Sequence, residues 1–105
     1  VTVAIKHRDL WIQGRWRPAA AGQTFDVYDP ATGLSVSTVA DGDARDAMAA
    51  LDAAAEAAED WASVPTRARA EILRRTYDEL VVRTDEIAAL ITLEAGKPLA
   101  ESRSD

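Results

Sequence analysis

The apolar positions change period near residue 41. Before it, short runs alternate. Leu10-Trp11-Ile12 and Arg15-Trp16-Arg17 flank Gln13-Gly14, a spacing that predicts a hairpin with a two-residue turn and Trp11 opposite Trp16. Gln is a poor first residue for a type I′ turn, where Asn tolerates positive φ better, so a different turn geometry is expected there. Pro18 and the following AAAG read as a linker. Thr24 to Tyr28 alternates up to Asp29-Pro30-Ala31-Thr32-Gly33, in which Pro fixes φ and Gly supplies a left-handed position. Leu34 to Val39 alternates back, placing Leu34, Val36 and Thr38 on one side of a second hairpin.

From Asp41 the period becomes helical. Asp43 is an N-cap with Asp46 three residues on, and Ala47, Leu51, Ala54, Ala58 and Trp61 follow at steps of four and three. Val64-Pro65 ends that helix near Ser63. Thr66 is expected to cap a second helix that turns Leu73, Tyr77, Leu80 and Val81 inward, with Glu71 and Arg75 as an i,i+4 ion pair. Thr84 is expected to cap a third, with Asp85 and Glu86 at its positive end and Ile87, Leu90 and Ile91 buried. Gly96 closes it, and Lys97-Pro98 opens a fourth. The fold class is therefore an α+β segment: a flexible stretch over 1–9, two β-hairpins over 10–40, then three helices and the start of a fourth over 41–105.

Composition changes this picture in one respect. At 105 residues there is room for a single small domain at most, and 22 of the 50 hydrophobic residues are alanine, leaving 28 larger apolar side chains for a core. Alanine buries little area but lets another backbone come close, so some of the neighbours of these helices are expected outside the chain. Charge is divided: residues 41–60 hold seven acids against Arg45 alone, while 66–83 hold five arginines against three acids, compatible with an antiparallel pairing of the two helices. The overall charge of −6 argues against nucleic acid as a partner. No apolar run reaches membrane-spanning length, and residues 1–10 lack a secretory pattern. With no cysteine, a reducing, cytoplasmic setting is expected, and no thiolate chemistry is available to these residues.

Candidate chemistry is sparse. His7, the single histidine, has no second ligand at metal spacing. The glycines at 14, 22, 33, 42 and 96 fit neither dinucleotide nor P-loop spacing, so Lys97 has no phosphate cradle and reads as a solvated cation at a helix end. Glu56, Glu59 and Asp60, and likewise Asp85 and Glu86, read as the wet sides of helices. Trp11, Trp16, Trp61 and Tyr77 read as packing residues, since no basic groove accompanies them. No catalytic, cofactor-binding or metal site is assigned to any residue, and an autonomous helical adaptor that binds a partner helix is the alternative function.

Three stretches together carry a resemblance. LWIQGRWR, TFDVYDPATG and the run from ALDAAAEAAEDW to LEAGKPLAES, in this order and with these gaps, resemble the N-terminal portion of the NAD(P)-dependent aldehyde dehydrogenases, with LEAGKPLAES most similar to the succinate-semialdehyde dehydrogenase branch. The departures are Gln13 and Asp29, where Asn is usual. The resemblance implies the leading part of an α/β enzyme, with 41–105 as the helical portion of an incomplete cofactor-binding domain. It implies an activity that oxidises an aldehyde through a cysteine thiohemiacetal, with NADP or NAD as hydride acceptor, a glutamate base and an asparagine oxyanion donor. The chain contains neither Cys nor Asn, so those roles fall on no residue here, and neither cofactor is expected to bind this segment. Tyr28 and Glu94 lie in stretches that line a monovalent-cation site in some relatives; no role is assigned to them. The expected partners are the remainder of a dehydrogenase chain and further copies in a homo-oligomer.

Overall fold

The computed structural model describes residues 5–105, so the first four residues of the expected flexible N-terminus lie outside the described part. The elements are β1 (Leu10–Ile12), β2 (Arg15–Arg17), β3 (Thr24–Tyr28), β4 (Ser35–Ala40), α1 (Ala44–Ser63), α2 (Thr66–Val82), α3 (Thr84–Ala95) and α4 (Leu99–Ser102). These are the two hairpins, three helices and short fourth helix that the periodicity predicts. They fall into two compact units, one of Ile5–Tyr28 with Ser35–Ser63, the other of Asp29–Leu34 with Val64–Asp105.

In the first unit β1 and β2 pair antiparallel with Trp11 opposite Trp16, as the two-residue turn dictates. The indoles meet at 5.0 Å, tilted by 59°, and His7 stacks on Trp16 at 4.3 Å. The turn corrects one expectation. Gln13 adopts φ 56° and Gly14 φ 75°, the pair of positive values that a type I′ turn requires. The cross-strand tryptophan pair and the right-handed twist of the ribbon thus outweigh the preference of Gln for negative φ. Residues 7 and 8 are tied to the rest of the unit, since the Ala40 N–H donates to the Arg8 carbonyl at 2.8 Å.

The second hairpin pairs Phe25 with Val39 and Val27 with Ser37, but Tyr28 with Ser35. Val36 is therefore an extra residue in β4, a β-bulge. The bulge breaks the alternation expected for Leu34, Val36 and Thr38: Leu34 is 69% exposed and Thr38 is exposed, whereas Ser37 is buried.

α1 begins as its sequence predicts. The Asp43 carboxylate accepts the Arg45 N–H at 2.8 Å, and the Asp46 carboxylate reaches back to the Asp43 N–H at 2.9 Å, a reciprocal cap built from two aspartates. The helix ends with the Ser63 hydroxyl on the Asp60 carbonyl, just before Val64-Pro65.

In the second unit the loop 29–34 is fixed by its own backbone. Asp29 Oδ1 accepts the Ala31 N–H, the Asp29 carbonyl accepts the Gly33 N–H, and Gly33 holds φ 72°. The helix starts differ from expectation at two threonines. Pro65, not Thr66, is the N-cap of α2, because Pro holds an extended ψ of 143° and Thr66 is already helical. Likewise Arg83 is the N-cap of α3, and the Thr84 hydroxyl turns back to the carbonyls of Leu80 and Val81 at 3.2 and 2.9 Å. Thr84 therefore finishes α2 rather than starting α3. Asp85 and Glu86 do occupy the first turn of α3, and Gly96 ends it in the left-handed conformation, its N–H on the Thr92 carbonyl.

Burial is confined to a handful of the described residues, one of them charged. Ile12, Ala19 and Ala88 are the buried hydrophobic residues among those described, joined by Ser37, Asp46 and Ser102. Ile87, Leu90 and Ile91 of α3 are partly covered. α2 contains no buried residue, and Leu73 and Tyr77, expected inward, are 66% and 62% exposed, with Leu80 and Val81 also in solvent. Leu51 and Trp61 of α1 are exposed too. The amphipathic pattern is present; what would cover it is not among the described residues. The Glu71–Arg75 pair is likewise replaced by Arg74–Asp78 at 3.5 Å and Glu79–Arg83 at 3.7 Å.

Candidate functional site

Two places concentrate polar groups. The first is Asp46, 3% exposed and the single buried ionisable residue among those described. Besides the Asp43 N–H, its carboxylate accepts the Ala20 N–H on both oxygens at 3.0 and 3.2 Å, and the Arg17 guanidinium at 3.3 Å. One side chain therefore joins the end of β2, the linker after it and the first turn of α1. The Asp43 N–H is the main cause holding the Asp46 carboxyl below its usual range; burial works against it, and Ala20 and Arg17 add to the lowering. Its neighbour Asp43 is also held low, chiefly by the Arg45 guanidinium at 2.7 Å. With its acceptor positions filled by structural donors, Asp46 has no free lone pair aimed at a substrate, and its chemistry is that of a tie.

The second place is a cavity of about 580 Å³ in the other unit, lined among others by Asp29, Asp85, Thr92, Leu99 and Arg103. Asp85 and Arg103 close on each other at 2.8 Å, and the Thr92 and Ser102 hydroxyls meet at 2.9 Å. Each hydroxyl is hydrogen-bonded to the other and to no imidazole, amine or carboxylate among the described residues, the contact that would activate it as a nucleophile.

The residues weighed from sequence are not gathered in either place, apart from Asp85. His7 lies on Trp16, and Trp61 and Tyr77 stand in solvent. Glu56, Glu59 and Asp60 line the exposed side of α1, and Glu86 and Glu94 are exposed on α3. Lys97 pairs with Asp105. The Tyr28 hydroxyl donates to Asp26 at 3.4 Å. No group of three or more His, Asp or Glu among the described residues is placed to hold a metal ion. A dinucleotide would need parallel strands feeding a glycine-rich turn at a helix N-terminus. Both sheets here are two-stranded and antiparallel, and the positive-φ glycines sit at hairpin turns, in the linker and at a helix C-terminus, so the described residues do not fit such a cofactor. Asp46 is the residue sequence reasoning undervalued; its spacing from Asp43 signalled the cap, but not Arg17 or Ala20.

Comparison with known proteins identifies this set of elements. The aldehyde dehydrogenase family profile matches residues 16–105. The chain belongs to the aldehyde dehydrogenase family, and corresponds to an N-terminal segment of its fold. Within the family it is similar to the mitochondrial succinate-semialdehyde dehydrogenases of Homo sapiens, at 41% identity over all 105 residues and 19% of the relative, and Rattus norvegicus, at 42% over 92% of this chain and 18% of the relative. Among solved structures it resembles the succinate-semialdehyde dehydrogenase of Burkholderia pseudomallei, with TM-score 0.89 and 39% identity over 94% of this chain and 20% of that one. It also resembles an NADP-dependent enzyme of E. coli, with TM-score 0.91 and 37% identity over 93% and 20%. The chain spans about a fifth of the length of the relatives it matches. No helix among the described residues is long and apolar enough to cross a membrane.

Proposed function

We propose that this segment is the structural leading part of an NAD(P)-dependent succinate-semialdehyde dehydrogenase, in which later chain supplies the cofactor site, nucleophile and oxyanion donor. The observation that carries the reading is identity of 41% sustained over all 105 residues with an enzyme of that name. With no Cys or Asn in the chain, the nucleophile and oxyanion donor of this reading fall on no residue here. The segment's role is to cover part of a cofactor domain and to take part in a homo-oligomer acting in the cytoplasm.

The test is expression of the complete reading frame and measurement of reduced nicotinamide with succinate semialdehyde, against betaine aldehyde as competitor, using NAD and NADP separately. Preference for succinate semialdehyde is expected. Preference for the other aldehyde, or turnover by the 105-residue chain alone, would overturn the assignment.

A further inference from the structure

The step from β4 to α1 runs through Asp41-Gly42-Asp43. Among the aspartates of the chain Asp41 alone is followed by glycine, and both residues are exposed and outside any helix or strand. The loop is pinned on either side. The Asp41 N–H donates to the Gln23 carbonyl at 2.8 Å, and the Asp43 N–H donates to the Asp46 carboxylate at 2.9 Å. Between these pins two groups are unengaged: neither the Asp41 carboxylate nor the Gly42 N–H has a hydrogen-bond or ion-pair partner among the described residues. An aspartate carboxyl and the next main-chain nitrogen are spaced to close a five-membered ring. A side chain on the second residue crowds that closure, and a hydrogen bond on the nitrogen opposes it. The other aspartates meet one obstacle or the other. Asp52, Asp60 and Asp78 lie inside helices, where the following N–H is bound to a carbonyl four residues back. Arg45 engages the Asp43 carboxylate, Ala20 and Arg17 that of Asp46, and Pro30 after Asp29 has no N–H.

We propose that Asp41-Gly42 is a site of spontaneous isoaspartate formation. The Gly42 nitrogen attacks the side-chain carboxyl carbon of Asp41; an N–Cγ bond forms, and the carboxyl OH leaves with the amide proton as water, giving a succinimide. Water then adds back to either imide carbonyl. Opening of the bond to Cγ restores aspartate, whereas opening of the bond to the main-chain carbon leaves the chain running through Cβ and Cγ, with the mass unchanged from aspartate. Isoaspartate therefore puts one more atom into the backbone between the two pins. Gly42 is packed as well, since a Cβ built on it would stand 3.6 Å from both Leu10 Cδ1 and Asp46 Cβ. The longer loop draws the Asp43 N–H off the Asp46 carboxylate, and isomerisation loosens the start of α1.

The test holds the purified product of the complete reading frame at neutral pH and physiological temperature for several weeks. It is then digested with a protease that cuts before aspartate but not before isoaspartate, and uncut Ala40-Asp41 bonds are quantified by mass spectrometry. Isoaspartate at position 41 is expected at about ten times its level at Asp43 or Asp52, because glycine alone leaves the ring closure uncrowded. Gly42→Ala is the matched control: its Cβ meets ordinary contacts at 3.6 Å, so the variant should fold, and position 41 should fall to the level of the other aspartates. No excess at 41 in the folded enzyme would overturn the proposal, whatever an unfolded sample shows, and so would an equal yield from Gly42→Ala. Hydrogen exchange at the Asp43 amide should speed up in the aged enzyme and stay constant in aged Gly42→Ala. Isoaspartate at 41 with unchanged exchange at Asp43 would refute the loosening of α1.

Discussion

Pro30 lies directly over Gly96: a Cβ added to the glycine would come within 2.9 Å of the Pro30 Cγ. Gly96 also holds φ 73°, which an L side chain adopts at a cost of about 1–2 kcal/mol. Two separate penalties thus fall on one substitution. Gly96→Ala is expected to destabilise by about 2 kcal/mol or more in urea unfolding, combining the left-handed penalty with the overlap. Adding Pro30→Ala should recover the contact part alone, so a double-mutant cycle should show a favourable coupling and an unrecovered remainder. A double mutant no more stable than Gly96→Ala would show that the two residues do not press on each other.

Asp46 makes stability depend on acid. Its folded carboxyl is depressed relative to the unfolded chain, as is that of Asp43, so their contribution is fully present above the unfolded value of about 3.9 and is lost as pH falls through the lower folded values. The window is therefore acidic, below about pH 4. Asp46→Asn should reduce the stability at neutral pH and flatten the acid limb of the unfolding curve. Hydrogen exchange at the Ala20 and Asp43 amides should speed up, while that at the Val27 amide of the second hairpin should not. An unchanged acid limb would remove Asp46 from the account.

Trp16→Ala removes the partner of both Trp11 and His7. Cross-strand aromatic pairs contribute about 0.5–1.5 kcal/mol, and the first hairpin has only three residues per strand to hold it. Loss of near-ultraviolet circular dichroism from the Trp11–Trp16 pair, with the far-ultraviolet helix signal kept, is the expected outcome.

Thr84→Val should weaken the end of α2 by about 1 kcal/mol, because the hydroxyl that meets the Leu80 and Val81 carbonyls is gone. Thr84→Ser should preserve most of the stability. If Ser were as harmful as Val, the methyl group and not the hydroxyl would be the element that matters.

These cases mark what was legible in the sequence. The hairpin register was, since two turn residues leave one way to pair Trp11 with Trp16; so was the end of α3, where Gly96 has a local conformational reason to stop a helix. Caps were misread where a neighbour competed: Pro65 took the cap position from Thr66, and Thr84 was drawn to the carbonyls behind it. The bulge at Val36 moved Ser37 inside and left Leu34 outside, a shift of one residue that alternation alone does not reveal. Asp46 was legible only as a helix cap, because Arg17 and Ala20 are 29 and 26 residues away and no local pattern announces a contact at that distance. The inward faces of α1 and α2 were read from their own periodicity, which reports that a partner surface is required and not where it comes from.

The junction at Arg83 has a consequence for how this region can vary in length. α2 ends at Val82 and α3 starts at Thr84, so a single residue separates two helices, and Thr84 serves the one while belonging to the other. Adding or deleting one amino acid there would swing the whole of α3 by about 100° about its axis, carrying Ala88 out of its buried position. Indels among related proteins should therefore avoid this joint.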